Sequence, residues 1–299
     1  MSQIGQAFHH KGRCLPIGKE NHYLPEHPKS VLSTNSEHCL GLSILRTAIT
    51  RELSTAIGNC ELTHLPRVEI YTGLAAQQHQ QYQSVLSSLD CNLVVLPAEP
   101  ALADSVFVED TAIVLDEVAV LCRPGIDSRQ PEVTSIGDIL GDYRRLTSIE
   151  SPGTLDGGDL LRVGKVIYAG LSNRSNQNGI EQLRNIVVDY GYSVKSIEVT
   201  KCLHLKSAVS EVAPGTLLID SDLISSSAFD DCELIDVDRD DVHAANALLE
   251  AQRVIYPSSF PRTIEKLVGC GIDVIPVDLT ELQKAEGGVT CCSLIFTTP

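Results

Sequence analysis

The sequence contains no apolar run that approaches the roughly 18 residues needed to cross a membrane. Its first residues, Met1 to Gln6, carry neither a basic patch nor an apolar segment, so we expect no secretory signal. Charged residues account for 21% of the 299 residues and apolar residues for 43%, which argues against a disordered chain. These features predict a cytoplasmic globular protein with enough chain for a sizeable core.

The sequence also lacks the basic patch of a nucleic-acid-binding protein. It has 23 basic and 39 acidic residues, and the formal net charge of −16 repels phosphate backbones. We therefore expect neither a nucleic-acid nor a membrane partner. An acidic surface commonly serves solubility, but it would also attract a cationic substrate, and the net charge alone leaves both interpretations open.

The ten cysteines have no C-x-x-C pair and no Cys/His cluster with the spacing of a zinc site, so we expect free thiols. Only the adjacent pair Cys291–Cys292 is unusual. If Val289–Phe296 forms a strand, its alternation places Cys291 on the more polar face and Cys292 on the apolar face. Cys291 is then the better candidate nucleophile, although a cysteine in such a position is usually a small buried residue.

The first part of the chain, up to about residue 36, shows no sustained periodicity. We expect a poorly ordered extension over residues 1–40 and a single catalytic domain over residues 41–299. The domain is predicted to begin with helices at Ile44–Leu53 and Ala75–Leu89 and strands at Val68–Tyr71 and Asn92–Leu96.

A hairpin pattern then recurs, with helices predicted at Asn176–Tyr190 and after Pro261 and a short apolar strand after each helix. Anchor positions recur at intervals of roughly 40–50 residues, a period typical of repeats, namely Asp110, Gly157, Lys206, Asn246 and Thr290. Because one such unit cannot bury its own sheet face, we expect the units to close into a ring. A doubly wound parallel sheet is the alternative, but hairpins fit it poorly. The predicted hairpins are Val106–Leu115 with Glu117–Arg123, Leu155–Val163 with Lys165–Leu171, Leu203–Val209 with Thr216–Ile219, and Ala244 through Gln252 to Tyr256, followed by Val289–Phe296 as the first arm of a last unit.

His204 is the best candidate for a general acid or base, because strand alternation would place it on the polar face with Lys206 and because imidazole titrates near neutral pH. Two carboxylate runs, Asp104–Asp110 and Thr154–Asp159, could hold a cation, although solvated turns explain them equally well. Within the second run, Gly157–Gly158 permits either a positive φ or a close approach of the backbone.

Four segments resemble dimethylarginine dimethylaminohydrolases in matching order: Phe107–Asp110, Thr154–Asp159, Leu203–Ser207 and Gly287–Ser293. The resemblance extends from about residue 51 to 296. It implies an α/β fold, the fivefold α/β propeller of ββαβ units called the pentein fold, in agreement with the repeat pattern. It also implies hydrolysis of asymmetric dimethylarginine or monomethylarginine to citrulline and dimethylamine or methylamine, and hence roles in arginine metabolism, citrulline biosynthesis and nitric oxide regulation. No cofactor or metal is required in similar enzymes, although zinc on the active cysteine can inhibit them.

By the same resemblance, Cys291 is the nucleophile that forms a covalent intermediate, His204 the general acid/base and Asp156 the residue that orients it. Nearby carboxylates should raise the pKa of Cys291 until a cationic substrate arrives. Glu286 stands where an aspartate is commoner. The residues that the resemblance assigns to the substrate are Asp104, Glu109 and Asp110 for the guanidinium, Arg129 and Arg174 for the α-carboxylate, and the backbone near Leu62 and Ala285 for the α-amino end and part of a lid.

Three alternatives remain at this level. Arginine deiminases usually have an aspartate where this chain has Lys206, and tend to be longer. Agmatine deiminases are a poorer match because Arg129 and Arg174 indicate a substrate with a carboxylate. A non-catalytic propeller that binds methylarginines or senses thiol modification is the third. The sequence is compatible with a monomer or a homodimer.

Overall fold

The computed structural model describes residues 45–298, and the extension predicted over residues 1–40 lies outside them. Within this part of the chain, fifteen strands form five sheets of three strands each. In four sheets the middle strand pairs antiparallel with the strand before it and parallel with the strand after it. In the fifth sheet the last strand of the chain takes the antiparallel position. This topology confirms the predicted fivefold α/β propeller.

The strands are β1 (Arg46–Arg51), β2 (Cys91–Leu96), β3 (Ala112–Val114), β4 (Val118–Leu121), β5 (Arg145–Ser148), β6 (Leu160–Val163), β7 (Val166–Leu171), β8 (Ser193–Glu198), β9 (Val209–Ala213), β10 (Thr216–Ile219), β11 (Glu233–Asp236), β12 (Leu248–Glu250), β13 (Arg253–Pro257), β14 (Val274–Val277) and β15 (Leu294–Thr297). The helices are α1 (Thr72–Ser88), α2 (Glu132–Leu140), α3 (Gln177–Val187), α4 (Pro261–Gly269) and α5 (Thr280–Gln283).

The sheets are β15-β1-β2, β3-β4-β5, β6-β7-β8, β9-β10-β11 and β12-β13-β14. Pairing of β15 with β1 joins the two ends of the described chain. Buried apolar side chains form five clusters rather than one central core, as expected for a fold assembled from repeated units. Among the described residues, no helix is long and apolar enough to cross a membrane.

Several predicted boundaries are confirmed because the local signals have clear physical causes. Gly164 and Gly215, both with positive φ, form the tight turns between β6 and β7 and between β9 and β10. The predicted helix at 176–190 contains α3, whose first turn is capped by the Asn176 side chain. Pro261 begins α4 at a position where its missing N–H costs nothing.

Two predicted elements at the start of the domain are wrong. Where a helix was predicted at Ile44–Leu53, residues 46–51 form strand β1, which is buried along nearly its whole length, and residue 44 lies outside the described residues. A strand covered on both faces loses the alternating pattern, so its sequence cannot be distinguished from a short buried helix. The residues of the strand predicted at Val68–Tyr71 form neither a strand nor a helix, and they lead directly into α1.

The strands predicted at the site residues begin later than expected. In the segments 106–115, 203–209 and 289–296, the first residues form turns, and the strands start only at Ala112, Val209 and Leu294. In these turns backbone groups form hydrogen bonds with residues nearby in sequence. For example, the Ser207 N–H donates to the carbonyl of His204. His204 and Cys291 therefore lie in turns rather than on strand faces.

Candidate active site

Five candidate residues lie in turns that precede the first strand of a sheet, namely Glu109, Asp110, Asp156, His204 and Cys291. Three short 3₁₀ turns, Val108–Thr111, Gly157–Asp159 and Leu205–Ser207, stand directly before β3, β6 and β9 and contact one another in that order. Asn246 precedes β12 in the same way, and Cys291 precedes β15. The repeated topology thus brings equivalent turns together, although they are far apart in sequence.

The side chains of His204 and Asp156 form a buried pair. The imidazole Nε2 of His204 lies 3.0 Å from Asp156 Oδ2. Asp156 is fully buried, and its other oxygen accepts the Gly125 N–H at 2.9 Å. Arg174 approaches the same carboxylate, with Nη1 3.9 Å from Oδ2. The carboxylate is therefore fixed in position and can orient the imidazole.

The second ring nitrogen of His204, Nδ1, lies 3.9 Å from Oδ1 of Asp110. Burial alone would lower the pKa of His204, but the negative charge of Asp110 and the hydrogen bond to Asp156 raise it to about 9. Burial opposes ionisation of Asp110, but the cationic His204 and Arg129 hold its pKa well below the usual range. The pair therefore favours a protonated imidazole beside an ionised carboxylate.

Gly158 permits this close arrangement. A Cβ added at this position would lie 2.6 Å from His204 Nδ1 and 2.8 Å from Asp110 Oδ1. The N–H of Gly158 donates to the same Asp110 oxygen at 2.9 Å. Of the two uses that the sequence left open for the glycine pair, this position shows close backbone approach.

Arg129 is held between two carboxylates. Its Nη1 donates to Asp110 at 2.6 Å, and its Nε and Nη2 donate to Glu132, with Nη2 at 2.8 Å from Oε2. Weaker bonds run from Nη2 to the carbonyls of Asp104 and Phe107. Although burial disfavours the charged form, Asp110 and Glu132 keep the pKa of Arg129 well above its usual value. The Arg129 guanidinium therefore provides a fixed positive charge beside the Asp110 carboxylate.

Glu109 forms an ion pair with Lys206. Lys206 Nζ donates to Glu109 Oε1, and the Thr290 hydroxyl donates to Oε2 at 2.7 Å. Both oxygens thus have a partner. Burial raises the pKa of Glu109, against the opposing effect of the Lys206 charge.

Cys291 lies at the junction of these groups. Its Sγ accepts the N–H of Gly288 at 3.4 Å, and its carbonyl accepts the N–H of Glu109 at 3.1 Å. Burial, reinforced by the charges of Glu109 and Asp110, raises the pKa of the Cys291 thiol to about 12, in the direction that the carboxylates predict. Cys292 is completely buried in the core.

Two cavities meet at Cys291 and His204. The smaller, of about 20 Å³, is lined by charged residues that include Asp104, Arg129 and Arg174. The larger, of about 320 Å³, extends to the surface and includes Glu109 and Lys206 in its wall.

The segment around Leu62 borders both cavities. Glu61 lines the smaller cavity and His64 the larger, while Leu62 between them packs against a core cluster. Ala285, on the other side, is buried and lines the smaller cavity. Both positions predicted for the α-amino end of a substrate thus lie in or beside the cavity wall.

Two of the predicted substrate-binding groups contact this segment directly. The Asp104 carboxylate accepts the Glu61 N–H at 3.0 Å, and Arg174 Nη2 donates to the Thr63 hydroxyl at 3.0 Å. Asp104 and Arg174 are themselves buried, and burial raises the pKa of Asp104.

Sequence reasoning missed two acids that shape the site. Glu132 fixes Arg129, but its position at the start of a helix carries no signal for that role. Asp159 is fully buried and accepts hydrogen bonds from Ser172, Ser175 and the backbone N–H of Leu205. It thereby anchors the turn that carries His204. The carboxylate run at 154–159 contained this residue but did not separate its role from that of Asp156.

Within residues 45–298, one set of side chains has the spacing to hold a metal ion. Ligand atoms of Asp110, Asp156 and His204 lie within 4.8 Å of one another. The same atoms already bind one another or Arg129, and the nearby guanidinium of Arg174 would repel a cation. The geometry therefore fits an acid/base constellation better than a metal site. Inhibitory zinc at Cys291 stays a prediction.

Comparison with known proteins identifies the family. The family described as "N,N dimethylarginine dimethylhydrolase, eukaryotic" matches residues 55–296. The chain belongs to the dimethylarginine dimethylaminohydrolase family. The family member from Pseudomonas aeruginosa is 35% identical over 224 residues, which cover 74% of this chain and 88% of the relative. The one from Streptomyces coelicolor is 33% identical over 250 residues, which cover 83% and 96%.

Solved structures of the family have the same fold. The P. aeruginosa enzyme, as a cysteine-to-serine mutant in complex with citrulline, matches with a TM-score of 0.81 at 32% identity and covers 85% of this chain and 100% of its own. A histidine-to-glycine variant of a dimethylarginine dimethylaminohydrolase, an adduct with S-methyl-L-thiocitrulline, matches with a TM-score of 0.80, again at 32% identity, over 84% of this chain and 100% of its own. The N-terminal domain of a cyanobacterial arginine dihydrolase, at 19% identity, a TM-score of 0.73 and coverage of 85% and 98%, shows the pentein fold alone. The chain is therefore an amidine hydrolase with the pentein fold.

Proposed function

We propose that this dimethylarginine dimethylaminohydrolase family member hydrolyses asymmetric dimethyl-L-arginine and monomethyl-L-arginine to L-citrulline and dimethylamine or methylamine. The observation that carries the proposal is the buried His204–Asp156 pair beside Cys291, at the junction of a cavity lined by carboxylates and arginines. A citrulline complex and a thiocitrulline adduct of relatives support the same chemistry.

The reaction begins when the Cys291 thiolate attacks the guanidinium carbon to give a tetrahedral adduct. Since the guanidinium charge is spread over three nitrogens, this carbon is a weak electrophile and the leaving amine must be protonated. Protonated His204 donates that proton as the C–N bond to dimethylamine breaks, which leaves a covalent S-alkylthiouronium on Cys291. Neutral His204 then takes a proton from water as the water attacks, which gives a second tetrahedral adduct. As the C–S bond of this adduct breaks, its hydroxyl proton passes to solvent, and citrulline and the Cys291 thiolate are released.

The charges around the site fit a zwitterionic substrate. Asp104 and Asp110 would attract the guanidinium. Glu109 would contribute indirectly, because its backbone N–H donates to the carbonyl of Cys291 and so helps to position the nucleophile. Arg174 would bind the α-carboxylate through its fork of donors. The donors of Arg129 are already used by Asp110 and Glu132. Arg129 would therefore attract the α-carboxylate of the substrate mainly through its positive charge.

The α-amino end would be bound by backbone carbonyls near Leu62 and Ala285, the residues on either side of the smaller cavity. The catalytic domain is proposed to span residues 41–299. The cytoplasmic location and the monomeric or homodimeric state stay predictions.

The Lys206–Glu109 ion pair supports this substrate class over free arginine. Because Lys206 and Thr290 each donate to one oxygen of Glu109, and the Lys206 charge compensates the carboxylate, Glu109 is a weak second clamp for an unmethylated guanidinium. The deiminase alternative requires such a clamp where Lys206 stands.

The test is one assay with two substrates. Asymmetric dimethylarginine and arginine are each incubated with the purified protein, and citrulline and the released amine are followed. We expect citrulline and dimethylamine from the first substrate only. Citrulline and ammonia from arginine alone would assign the protein to the deiminases, and no citrulline from either would leave a binding or thiol-sensing propeller.

The adjacent cysteines provide matched controls. Cys291→Ser should abolish turnover, whereas Cys292→Ser should retain it, because Cys292 lies entirely within the core. Loss of activity in both variants with intact folding, or in neither, would contradict the assignment of Cys291 as nucleophile.

A further inference from the structure

Glu286 binds three consecutive backbone amides across the mouth of the site. Its Oε1 accepts the N–H groups of His64 and Leu65 at 2.5 Å each, and its Oε2 accepts the N–H of Thr63 at 3.1 Å. Successive N–H groups that converge in this way form an anion-binding nest, and hydrogen bonds to a carboxylate are stronger than those between neutral groups.

The backbone of Glu286 is held in a conformation that aims its side chain at this nest. Its φ is +58°, a left-handed value that few non-glycine residues adopt. Directly after α5, the Glu286 N–H donates to Gln283 and the Gly287 N–H donates to Leu282. These bonds fix the turn that carries the carboxylate. A strained conformation persists where the surrounding structure enforces it, and such residues cluster at functional sites.

The amides that Glu286 binds belong to the segment that closes both cavities. His64 and Leu65 form part of the wall of the larger cavity, which also contains Cys291. In the same segment, Glu61 and Thr63 bond to Asp104 and Arg174, two of the proposed substrate ligands. Movement of residues 61–65 would therefore change both access to Cys291 and the surroundings of the substrate.

We propose that Glu286 is a positioning residue that fastens segment 61–65 over the active site and thereby sets substrate affinity and the exposure of Cys291. The kinetic part of this inference rests on the proposed function, whereas the structural part does not. Without the carboxylate, the segment would open more often, so substrate would lose contacts and the thiol would become more accessible.

The experiment compares Glu286→Gln and Glu286→Gly with the wild-type protein. Gln keeps the size of the side chain but loses the charge, and Gly removes the acceptor while relieving the positive φ, so the second variant remains folded if strain is the only issue. Glu281→Gln is the matched control, because Glu281 lies on α5 and also accepts a backbone N–H, that of Tyr71, which lies outside segment 61–65.

Three quantities are measured: hydrogen exchange of the amides at 63–65, the rate at which iodoacetamide alkylates Cys291 without substrate, and kcat and KM for asymmetric dimethylarginine. In both Glu286 variants we expect about tenfold faster exchange and alkylation and an increase of about tenfold in KM, as expected when charged hydrogen bonds are lost. We expect kcat to change less than KM, and Glu281→Gln to leave exchange at 63–65 and alkylation at wild-type values.

Wild-type exchange and alkylation rates in both Glu286 variants would overturn the proposal. Faster exchange with unchanged alkylation and KM would also overturn it, since the segment would then move without affecting the site. If the wild-type protein hydrolyses no methylarginine, the proposed function fails, but exchange and alkylation still decide whether Glu286 fastens the segment.

Discussion

The imidazole Nε2 of His204 lies 3.0 Å from Oδ2 of Asp156, a carboxylate with no exposure to solvent. Asp156→Asn keeps the shape of this side chain but removes the charge that favours protonated His204. We expect kcat to fall by about 10²-fold or more, with KM changed only a few-fold, because general acid catalysis is lost while substrate contacts remain. Steady-state kinetics with dimethylarginine test this. Equal effects on kcat and KM would identify Asp156 as a structural acid instead.

The raised pKa of His204 gives a specific pH dependence. In the free protein this pKa is about 9, so the imidazole is protonated below that pH and loses its proton above it. Because the first step needs both the Cys291 thiolate and protonated His204, and the pKa of the thiol lies above that of the imidazole, kcat/KM should increase with pH up to about 9 and level off above it. In Asp156→Asn the loss of the negative charge lowers the pKa of His204, so the increase should level off at a lower pH. An unchanged levelling-off pH in the variant would show that another group controls it.

The protonation state of Cys291 should depend on the ligand. Its pKa is raised to about 12 by burial and by the charges of Glu109 and Asp110, so the thiol of the free protein is protonated near neutral pH. A cation beside the two carboxylates opposes this effect. We expect alkylation by iodoacetamide to increase with pH throughout the range from 7 to 10, and methylguanidinium to shift this increase to lower pH. A thiol pKa near 7 that is independent of methylguanidinium would contradict this view of activation.

Some site residues could be predicted for a partly incorrect reason. Strand alternation separated a polar Cys291 from a buried Cys292, and the structure places Cys292 in the core. Both residues, however, lie in a turn before β15. The polarity pattern that suggested a polar strand face belongs instead to turns before the first strands, three of which contact one another. The repeat period was more reliable, since it marks the equivalent turns before the first strands.

Other features of the site depend on distances that no sequence pattern encodes. The need for glycine at position 158 comes from the close approach of its backbone to His204, which the sequence does not encode. Glu286 binds amides more than 220 positions away, and Glu132 binds Arg129 from the first turn of α2, where an acidic residue is common without any such role. The prediction of a helix where β1 lies was wrong for a related reason, because burial on both faces removes the alternation that identifies a strand.

Lys206 should control the choice between methylated and free arginine. Lys206→Met retains most of the side-chain volume but frees Glu109 Oε1 to accept a guanidinium N–H. We expect the ratio of kcat/KM for arginine to that for dimethylarginine to increase by about tenfold, the effect of one charge-assisted hydrogen bond. Lys206→Arg preserves the ion pair and should keep the wild-type ratio. An unchanged ratio in Lys206→Met would place specificity elsewhere in the site.

Folding stability should fall in mild acid because of His79. This residue on α1 is buried, stacks on Tyr82, and within the described structure its Nε2 has no hydrogen-bond partner. Burial lowers its pKa to about 4, whereas an unfolded histidine has a pKa of about 6.5. Between these values the unfolded state binds the extra proton, so the free energy of unfolding decreases as the pH falls, by at most about 3 kcal/mol in total.

The measurement is urea denaturation of the wild-type protein and His79→Gln at pH 7 and pH 5. Between these pH values the wild type should lose about 2 kcal/mol more than the variant, since glutamine does not titrate. His64→Gln is the control for the loss of an imidazole in itself, because the His64 side chain is exposed whereas that of His79 is buried. The comparison between proteins is necessary because buried carboxylates such as Glu109 and Asp104 also titrate in acid, but they do so equally in all three. If the pH dependence is identical in wild type and His79→Gln, the buried histidine does not limit acid stability.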